Sequence, residues 1–266
     1  MNKKIAEKID LLMRRFREIG SAVVAFSGGV DSMLLVEAAR RTIPGNFVAA
    51  TAISPSYPSS DLLQVKKFCS DFKVDLRIIE TTEFKDPAFI ANLDDRCYFC
   101  KKNLYGAFVK LADHLGLDLL VEGTNLEDLG GDRPGYQASK ENPRVVTPLI
   151  DCEFTKEDVR AVAREFSLPS AEKPSSACLA SRVPTGLSLS PELMSRIDRA
   201  EDFLRSLGIS QVRVRHHGEL ARIEIRRDEF GICIEAGEFV HRELKRLGWK
   251  FITLDIIGYR TGGSRG

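Results

Sequence analysis

Short apolar runs alternate with longer helical patterns through the first half of the chain, and this alternation limits the possible folds more than any other feature. The apolar runs occupy residues 22–26, 47–53, 74–79 and 117–121, and the helical patterns occupy 4–19, 31–41, 61–72 and 99–115. Strands that alternate with helices form βαβ units, which assemble into a parallel sheet. The sequence therefore predicts an α/β fold built on a parallel sheet.

The pattern changes beyond a stretch rich in proline and serine. Residues 168–191 contain four prolines and six serines, which is typical of a linker or a long active-site loop. Helical patterns follow at 191–207 and 237–247, and apolar runs at 211–215, 221–225 and 251–257. We predict two domains, 1–177 and 178–266, of which the second is a smaller α+β domain. A polar stretch at 125–142 is predicted to be a functional or mobile loop.

Composition excludes several classes of protein. The 39 Lys and Arg residues against 38 Asp and Glu leave a net charge of +1, so nucleic acid is not an expected partner. No apolar run approaches the ~18 residues of a membrane span, and the charged N-terminus lacks a signal core, which favours a cytoplasmic protein without a membrane partner. Six cysteines in 266 residues indicate metal binding or reactivity in a reducing compartment, since they are too few for a disulfide scaffold.

The turn after the first predicted strand carries a motif of small residues. Its sequence is Ser27-Gly28-Gly29-Val30-Asp31-Ser32, at the junction of a strand and a helix. The glycines let successive backbone N–H groups approach an oxyanion, and the helix dipole adds attraction for phosphate. Ser27 and Ser32 can donate hydroxyl hydrogen bonds, and Asp31 is placed to hold Mg²⁺ against the phosphates. No lysine follows the glycines as in the Walker A pattern, so transfer of a γ-phosphate is not indicated.

This motif resembles the pyrophosphate loop, or PP-loop, of the N-type ATP pyrophosphatases. The resemblance covers roughly residues 20–170, and Glu122-Gly123-Thr124-Asn125 is similar to the family's second nucleotide-facing segment, with Gly123 at the nucleotide. It implies that ATP is cut between its α- and β-phosphates and that a substrate oxygen receives AMP. A nucleophile then displaces AMP. Because 266 residues leave no room for a glutaminase domain, sulfur is the leading candidate for that nucleophile.

Three of the six cysteines are candidates for chemistry. Cys97 and Cys100 lie three apart where a helix is predicted to begin, so both thiolates can face one metal. Cys178 lies in a proline-flanked loop at the domain boundary, where a cysteine is more often exposed and reactive than packed. The other three cysteines lie in or beside predicted helices and strands and are interpreted as small buried hydrophobic residues. These are Cys69, Cys152 and Cys233.

The loop around Cys178 extends the resemblance to nearly the full chain. Pro174-Ser175-Ser176-Ala177-Cys178-Leu179-Ala180-Ser181-Arg182 and Gly131-Asp132-Arg133-Pro134-Gly135 are similar to motifs of the LarE family, the pyridinium-3,5-biscarboxylic acid mononucleotide sulfurtransferases. The resemblance implies that each carboxylate of that mononucleotide is adenylated in turn and receives sulfur, giving a bis-thiocarboxylic acid that later carries nickel in a pincer cofactor. In the sacrificial form of the family, the cysteine that matches Cys178 gives up its own sulfur and becomes dehydroalanine.

The pair Cys97 and Cys100 departs from a scheme that needs one cysteine. With Cys178 they could bind three irons of a [4Fe-4S] cluster, and resemblance to the cluster-dependent branch of the family implies that the fourth iron binds hydrosulfide. Sulfide or another sulfur donor would then replenish the sulfur. We favour this cluster over a sacrificial Cys178, and both over zinc or inert thiols, because no nearby residue offers zinc a fourth ligand. In either scheme, Arg182 or a helix N-terminus can favour an ionised thiol, although Arg182 can equally be a surface cation.

The second predicted domain is rich in arginine. Residues 195–227 contain eight arginines and no lysine. Arg213 and Arg215 alternate along a predicted strand and so project from one face, and the guanidinium fork suits a phosphate. The resemblance to LarE implies that these two bind the 5′-phosphate of the mononucleotide, with Arg182 also in the phosphate site and Glu224 near it. A solvated arginine-rich face or a subunit interface is the alternative interpretation.

Together these features predict an enzyme that uses ATP and Mg²⁺ to adenylate a pyridinium mononucleotide and then transfers sulfur to it. The resemblance further implies a homo-oligomer, either a dimer or a hexamer. One alternative is a tRNA thiolation enzyme with the same loop, although a net charge of +1 provides no extended basic surface for tRNA. The other is a sensor that binds ATP or an iron–sulfur cluster without catalysis.

Overall fold

The computed structural model describes residues 3–130, 134–172 and 177–260. The chain forms two compact units. The first comprises residues 1–54, 61–89 and 94–176, and the second comprises 55–60, 90–93 and 177–266. The second unit thus includes two short segments from the first half of the sequence, which no pattern in the sequence predicts.

The first unit contains a five-stranded sheet with helices between its strands. The helices are α1 Lys3–Ile19, α2 Val30–Thr42, α3 Ser59–Asp71, α4 Pro87–Ile90, α5 Arg96–Leu115, α6 Pro134–Lys140, α7 Pro148–Asp151 and α8 Lys156–Glu165. The strands are β1 Ala22–Ala25, β2 Phe47–Ile53, β3 Leu76–Glu80, β4 Leu119–Val121 and β5 Val145–Val146. All strand pairs are parallel, in the order β3-β2-β1-β4-β5, which confirms the predicted α/β fold.

Strand β1 lies at the centre of this sheet and is covered on both faces. Ala22 and Val24 belong to the apolar cluster that contains α1, α2 and α8, whereas Val23 belongs to the cluster that contains α5. Successive side chains of a strand point to opposite faces, so a run of apolar residues fits a strand buried on both sides. The turn after β1 therefore lies in the middle of the carboxyl edge of the sheet, where ligands of open α/β sheets bind.

The interpretation of residues 125–142 as a loop is wrong for part of this stretch. It contains a 3₁₀ helix at Leu126–Leu129 and the helix α6. A seven-residue helix is too short to show a hydrophobic period, and Pro134 occupies its first position, where the missing N–H removes no helical hydrogen bond. Residues 131–133 of the motif in this stretch lie outside the described residues.

The second unit contains a three-stranded sheet and three helices. Its strands are β6 Val212–His217, β7 Leu220–Ile225 and β8 Phe251–Leu254, and its helices are α9 Pro191–Ser206, α10 Phe230–Glu235 and α11 Gly237–Arg246. β6 pairs with β7 in antiparallel orientation, and β7 pairs with β8 in parallel orientation. The last strand ends earlier than predicted because Asp255 forms a turn, in which its carboxylate accepts from the Ile257 N–H at 2.8 Å.

The two faces of this small sheet differ in character. Val214, Ile223 and Ile225 are at most 1% exposed and form an apolar face with the buried residues of α9. On the opposite face, the antiparallel register places Arg213 across from Glu224 and Arg215 across from Arg222. We call these four residues the arginine face. Its side chains are charged, and three of them are buried, namely Arg213, Arg215 and Glu224.

Hydrogen bonds attach the two inserted segments to the rest of the second unit. The Asn92 side-chain amide donates to the carbonyls of Pro184 and Leu187, both at 2.9 Å. Asn92 has a φ of 53°, a conformation that asparagine tolerates better than most residues. In the other segment, the Ser56 carbonyl accepts from the Leu179 N–H at 2.8 Å. Among the described residues, no helix has the length and apolar character needed to cross a bilayer.

Candidate nucleotide and sulfur-transfer site

The glycine motif forms a tight turn between β1 and α2. Gly28 has a φ of +77°, and a Cβ atom there would lie 3.0 Å from Val65 Cγ2, so only glycine fits. Gly29 is the N-cap residue of α2 and has no side chain to satisfy the first N–H groups of that helix. The turn therefore presents backbone N–H groups and a helix N-terminus to an anion.

Two serine hydroxyls hold the turn in shape. Ser32 Oγ donates to the Gly29 carbonyl at 3.0 Å and accepts from the Ser27 N–H at 3.2 Å. Ser27 Oγ lies 3.2 Å from Ser32 Oγ and accepts from the Gly29 N–H at 3.4 Å. Both serines predicted as donors to phosphate thus also fix the loop that surrounds it.

Asp31 contacts residues from two other segments at the same edge of the sheet. Its Oδ1 accepts from the Asn125 side-chain amide at 3.1 Å, and its Oδ2 forms an ion pair with Lys156 Nζ. Gly123 approaches the motif closely, since a Cβ there would lie 3.3 Å from both Asp31 Cβ and Ser32 N. The predicted residues of both nucleotide-facing segments are therefore brought together beside one carboxylate and one ammonium group.

Lys156 is a site residue that the sequence analysis missed. It opens α8, whose N-cap residue Thr155 forms a capping box with Asp158. The Lys156 N–H also donates to Glu127 Oε1 at 3.1 Å, which joins the start of α8 to the segment after β4. The capping box was visible in the sequence as a helix start, but the contact with Asp31 depends on tertiary structure.

A buried carboxylate follows β4. Glu122 is 2% exposed, and its Oε2 lies 3.5 Å from Lys101 Nζ, while no hydrogen bond reaches its Oε1 among the described residues. Burial alone would lower the pKa of Lys101, but the nearby groups Glu122, Tyr105 and Cys100 together raise that pKa, with Glu122 contributing most. Burial raises the pKa of the neighbouring Tyr105 to about 12. Lys101 lies one helical turn after Cys97. The ion pair therefore connects the start of α5, which carries Cys97 and Cys100, to the segment that follows β4.

Cys97 and Cys100 lie on the first turn of α5, the first exposed and the second partly exposed. Residues three apart on a helix share a face, so the two sulfurs can approach one metal. Gly135 packs on this turn, since a Cβ there would lie 3.4 Å from Lys101 Cγ and 3.9 Å from Cys97 Cβ. The described end of the 131–135 motif is thus a neighbour of the cysteine pair.

The other cysteines divide as predicted. Cys178 is exposed and is the N-cap residue of the 3₁₀ helix Leu179–Arg182. Three cysteines are buried, as predicted for Cys69, Cys152 and Cys233. Burial raises the pKa of Cys69 to about 12 and that of Cys152 to about 11, and it also raises the pKa of Cys233. These three thiols are therefore poorly suited to act as nucleophiles or metal ligands.

The chemistry of the exposed thiols fits metal binding in part. Cys97 and Cys100 belong to the first unit and Cys178 belongs to the second. Within residues 3–130, 134–172 and 177–260, no three His, Cys, Asp or Glu side chains are grouped so as to hold a metal ion. Residues 173–176 of the Cys178 motif lie outside the described residues. The pair on α5 thus supplies two suitable ligands, and the third ligand stays a prediction.

Arg182 is buried and is not a surface cation. Its Nε and Nη2 donate to Glu201 Oε1 and Oε2 at 2.8 and 3.0 Å, a bidentate pair. Its Nη1 donates to the carbonyls of Ala177 and Cys178 at 2.6 and 3.1 Å. Burial opposes the charge of Arg182, but Glu201 raises its pKa. The structure therefore places Arg182 as a support for the backbone at Cys178, with its donors directed to protein oxygens.

The arginine face concentrates positive charge. Arg215 and Arg222 share the carboxylate of Glu224 at 3.1 and 3.0 Å, whereas among the described residues Arg213 forms no ion pair. Arg213 is 6% exposed, and burial lowers its pKa, with further lowering by the charges of Arg182 and Arg215. Arg215 Nε has no hydrogen-bond acceptor among the described residues, and Arg215 Nη2 has only the ion pair with Glu224 Oε2 at 3.1 Å. An anion here would neutralise Arg213 and accept from Arg215 Nε.

Comparison with known proteins identifies the family. No protein-family model matches the sequence. The chain is 30% identical, over 259 residues, to the pyridinium-3,5-bisthiocarboxylic acid mononucleotide synthase of Lactiplantibacillus plantarum, and the match covers 97% of this chain and 94% of that one. The chain belongs to the LarE family. It is therefore an enzyme, and the resemblance seen in its motifs is confirmed over nearly the whole chain.

Two other relatives match the chain, one over nearly its full length and one over about half of it. An uncharacterised protein of Synechocystis sp. is 36% identical over 261 residues, with 97% of each chain covered. One component of the glutamine-hydrolysing GMP synthase of Thermococcus kodakarensis is 25% identical over 162 residues, which are 56% of this chain and 52% of that one. The shorter match fits the parallel sheet and glycine turn of the PP-loop type in this LarE protein.

Besides Lys156, the sequence analysis of this LarE protein missed two residues at the arginine face. Arg222 alternates with Glu224 along β7, as Arg213 and Arg215 do along β6, so the same period-two argument could have found it. Tyr259 packs its ring on Arg213, with 4.7 Å between the guanidinium carbon and the ring centroid. It lies beyond the last strand, and no local pattern predicts this contact.

Proposed function

We propose that this protein is an ATP-dependent sulfurtransferase that adenylates the carboxylates of pyridinium-3,5-biscarboxylic acid mononucleotide and replaces AMP with sulfur. The observation that carries the proposal is the full-length identity to a synthase of the corresponding bis-thiocarboxylic mononucleotide. The glycine turn and the arginine face support it, since the substrate and ATP are both anionic and each unit contains a site that suits an anion. A merely nucleotide-binding sensor would need no second anion site.

Activation requires ATP to be held while a carboxylate attacks it. The N–H groups of the glycine turn and of the α2 N-terminus bind phosphate oxygens, and Mg²⁺ at Asp31 would neutralise further charge. Lys156, which pairs with Asp31, adds a cation beside the phosphates. A substrate carboxylate oxygen then bonds to the α-phosphorus, the bond to the bridging oxygen breaks, and pyrophosphate leaves with its electron pair.

The mononucleotide is held by its 5′-phosphate. Arg213 forms no ion pair among the described residues, and Arg215 has a buried Nε without an acceptor there, so both side chains can donate hydrogen bonds to a phosphate. Glu224 keeps Arg215 and Arg222 in place through its two oxygens. Arg182 contributes to the positive charge near Arg213, while its own donors fix the Cys178 backbone.

The sulfur donor is a thiol or a cluster-bound sulfide. Cys97, Cys100 and Cys178 would hold a [4Fe-4S] cluster, and the chemistry it would supply is sulfide for the displacement of AMP from the acyl-adenylate. In the alternative, the Cys178 thiolate attacks the adenylate, its Cβ–S bond then breaks with loss of the α proton, and dehydroalanine remains. The pair at Cys97 and Cys100 favours the cluster, because the sacrificial route has no use for one exposed and one partly exposed thiol three residues apart on a helix.

Product analysis tests the proposal. ATP labelled at the α-phosphate, incubated with the protein, Mg²⁺ and the pyridinium mononucleotide, should give AMP and pyrophosphate in equal amounts, and mass spectrometry should detect the mononucleotide with oxygen replaced by sulfur. Formation of ADP would contradict the assigned bond cleavage. Pyrophosphate release that requires tRNA instead of the mononucleotide would identify a tRNA thiolation enzyme, and no release with either substrate would support a sensor.

A further inference from the structure

The chain after β8 folds back along the arginine face. The Tyr259 N–H donates to the Ile225 carbonyl at 2.8 Å, and the Gly258 N–H donates to the Asp255 carbonyl at 3.0 Å. A Cβ on Gly258 would lie only 2.8 Å from the Ile225 carbonyl oxygen, and Gly258 has a φ of +78°. Only glycine therefore lets residues 255–259, which we call the strap, reach the end of β7.

The strap contacts the arginine face at two points. Asp255 Oδ2 lies 3.6 Å from Arg222 Nε. The Tyr259 ring lies against Arg213, with the guanidinium carbon 4.7 Å from the ring centroid. Stacking of this kind satisfies the face of a guanidinium group without using its N–H donors, which point outward in its own plane.

Arg213 differs from the other buried arginines in what holds it. Arg182 is held by Glu201 and Arg215 by Glu224, both through carboxylates. Among the described residues, the Arg213 guanidinium group forms no ion pair and stacks on the Tyr259 ring, and Arg213 as a whole is only 6% exposed. A carboxylate partner would occupy the donors that a phosphate needs, whereas a ring orients them and leaves them available.

We propose that Tyr259 is a positioning residue for the phosphate of the mononucleotide. Its ring holds the Arg213 guanidinium group in the orientation that bidentate binding of the phosphate requires. This inference rests on the proposed function, because it assumes that Arg213 receives that phosphate. It predicts that the ring of Tyr259 matters and its hydroxyl does not. Without the ring, Arg213 must lose rotamer freedom when the ligand binds, and affinity falls accordingly.

Calorimetric binding separates positioning from a general structural role. The ligands are pyridinium-3,5-biscarboxylic acid mononucleotide and the matching nucleoside, which lacks the 5′-phosphate. Y259L, which keeps bulk without a π face, should raise the Kd of the mononucleotide about fivefold to thirtyfold and leave that of the nucleoside within about twofold. Y259F should bind both ligands within about twofold of wild type. In steady state, Y259L should raise KM for the mononucleotide and leave KM for ATP unchanged.

Two further variants make the test decisive. In an R213A background, Y259L should cause no additional loss, because the two residues act as one unit. F239L is the matched control, since Phe239 also contacts an arginine, Arg242, at 5.0 Å in the same unit and should affect neither ligand. Equal weakening of both ligands by Y259L, or no weakening by Y259L where R213A weakens the mononucleotide alone, would refute positioning and leave the phosphate site intact. If R213A itself spares the mononucleotide, the phosphate site fails as well.

Discussion

The two units differ in the kind of hydrogen-bond donor that they offer to an anion. At the edge of the parallel sheet, the glycine turn offers backbone N–H groups, and the nearby charges of Asp31 and Lys156 already balance each other. Across the face of the small sheet, the donors are side chains, and Arg213 is buried without a carboxylate partner among the described residues. In the first site the two charges are thus paired without ligand, whereas in the second the described residues include more arginines than carboxylates.

This difference predicts where ligands stabilise the protein. Phosphate at the arginine face relieves a desolvated charge, so it should bind more tightly there, and stabilise the folded protein more at a given concentration, than at a site whose charges are already paired. At the glycine turn, the backbone geometry is fixed by the loop's own hydrogen bonds and gains less from ligand. The five experiments below test the two anion sites, the sulfur chemistry and the burial of a thiol. They begin with the one of largest expected effect on activity.

The exposed cysteines should be indispensable for turnover. C97A, C100A and C178A are each expected to abolish sulfur transfer, and protein prepared without oxygen should be brown, with about four irons per chain. C97A should bleach it, whereas C152A, which alters a buried thiol, should keep the iron. The measurements are iron content and absorbance. Colourless, active protein that shows dehydroalanine at position 178 after one turnover would instead establish the sacrificial route.

Gly28→Ala should disable the glycine turn. The added Cβ meets Val65 at 3.0 Å and forces alanine to a φ of +77°, so pyrophosphate release should fall by about 100-fold to 1,000-fold. Gly45→Ala is the control, because Gly45 has a φ of +84° with no other atom within 4 Å of the added Cβ. Both variants should lose about 1–2 kcal/mol of stability, but only G28A should lose activity. Equal activity in the two would contradict the role of the turn.

Two of the buried arginines, Arg182 and Arg213, should differ in how much stability is lost when their charge is removed. Arg182→Met leaves the buried Glu201 carboxylate with one ion-pair partner, Arg205, and the Val214 N–H, and the free energy of unfolding should fall by about 3 kcal/mol. Arg213→Met removes an unpaired charge and should leave the free energy of unfolding within about 1 kcal/mol of wild type. Denaturant titration of the ligand-free variants measures both. A large loss in R213M would show that Arg213 has a structural partner.

Lys156→Ala should moderately reduce the use of ATP at the glycine turn. Removal of the ammonium group leaves Asp31 to repel the phosphates, so kcat/KM for ATP should fall about tenfold to thirtyfold, with partial recovery in K156R. Lys67→Ala removes a similar lysine–aspartate pair, Lys67 with Asp71 at 2.9 Å, from an exposed helix and should change nothing. Unchanged ATP kinetics in K156A would remove Lys156 from the site.

The buried thiol of Cys69 should make the protein less stable at alkaline pH. Its pKa is raised to about 12 in the folded protein, above its usual value of about 9. Below pH 9 the thiol is neutral in both states, and above pH 9 the unfolded state alone loses the proton, so the contribution disappears as pH rises towards 12. The expected slope is about 1.4 kcal/mol per pH unit. Unfolding of C69A between about pH 9 and 11 should lack this slope, and an identical profile in both proteins would exclude it.

Local patterns sufficed for the parallel sheet and the glycine turn. The apolar patterns on either side of residues 27–32 predict the strand and the helix that flank the turn. The alternation of Arg213 with Arg215 along one strand likewise predicts that they share a face. Lys156 and Tyr259 act on residues that are distant in sequence, and nothing near them indicates the contact. The helix α6 escaped because seven residues carry no readable period. Site residues could thus be predicted where they belong to a continuous motif. They were missed where the residue that they contact is distant in the sequence.

The segments at 55–60 and 90–93 are synthesised well before the rest of the unit with which they fold. Both belong to the second unit, whose other residues begin at 177. On a ribosome that adds about 5–20 residues per second, the hydrogen-bonding groups of Asn92 therefore wait several seconds for Pro184 and Leu187 to be made. Slow codons between these positions would lengthen that wait, and recoding them for speed would shorten it.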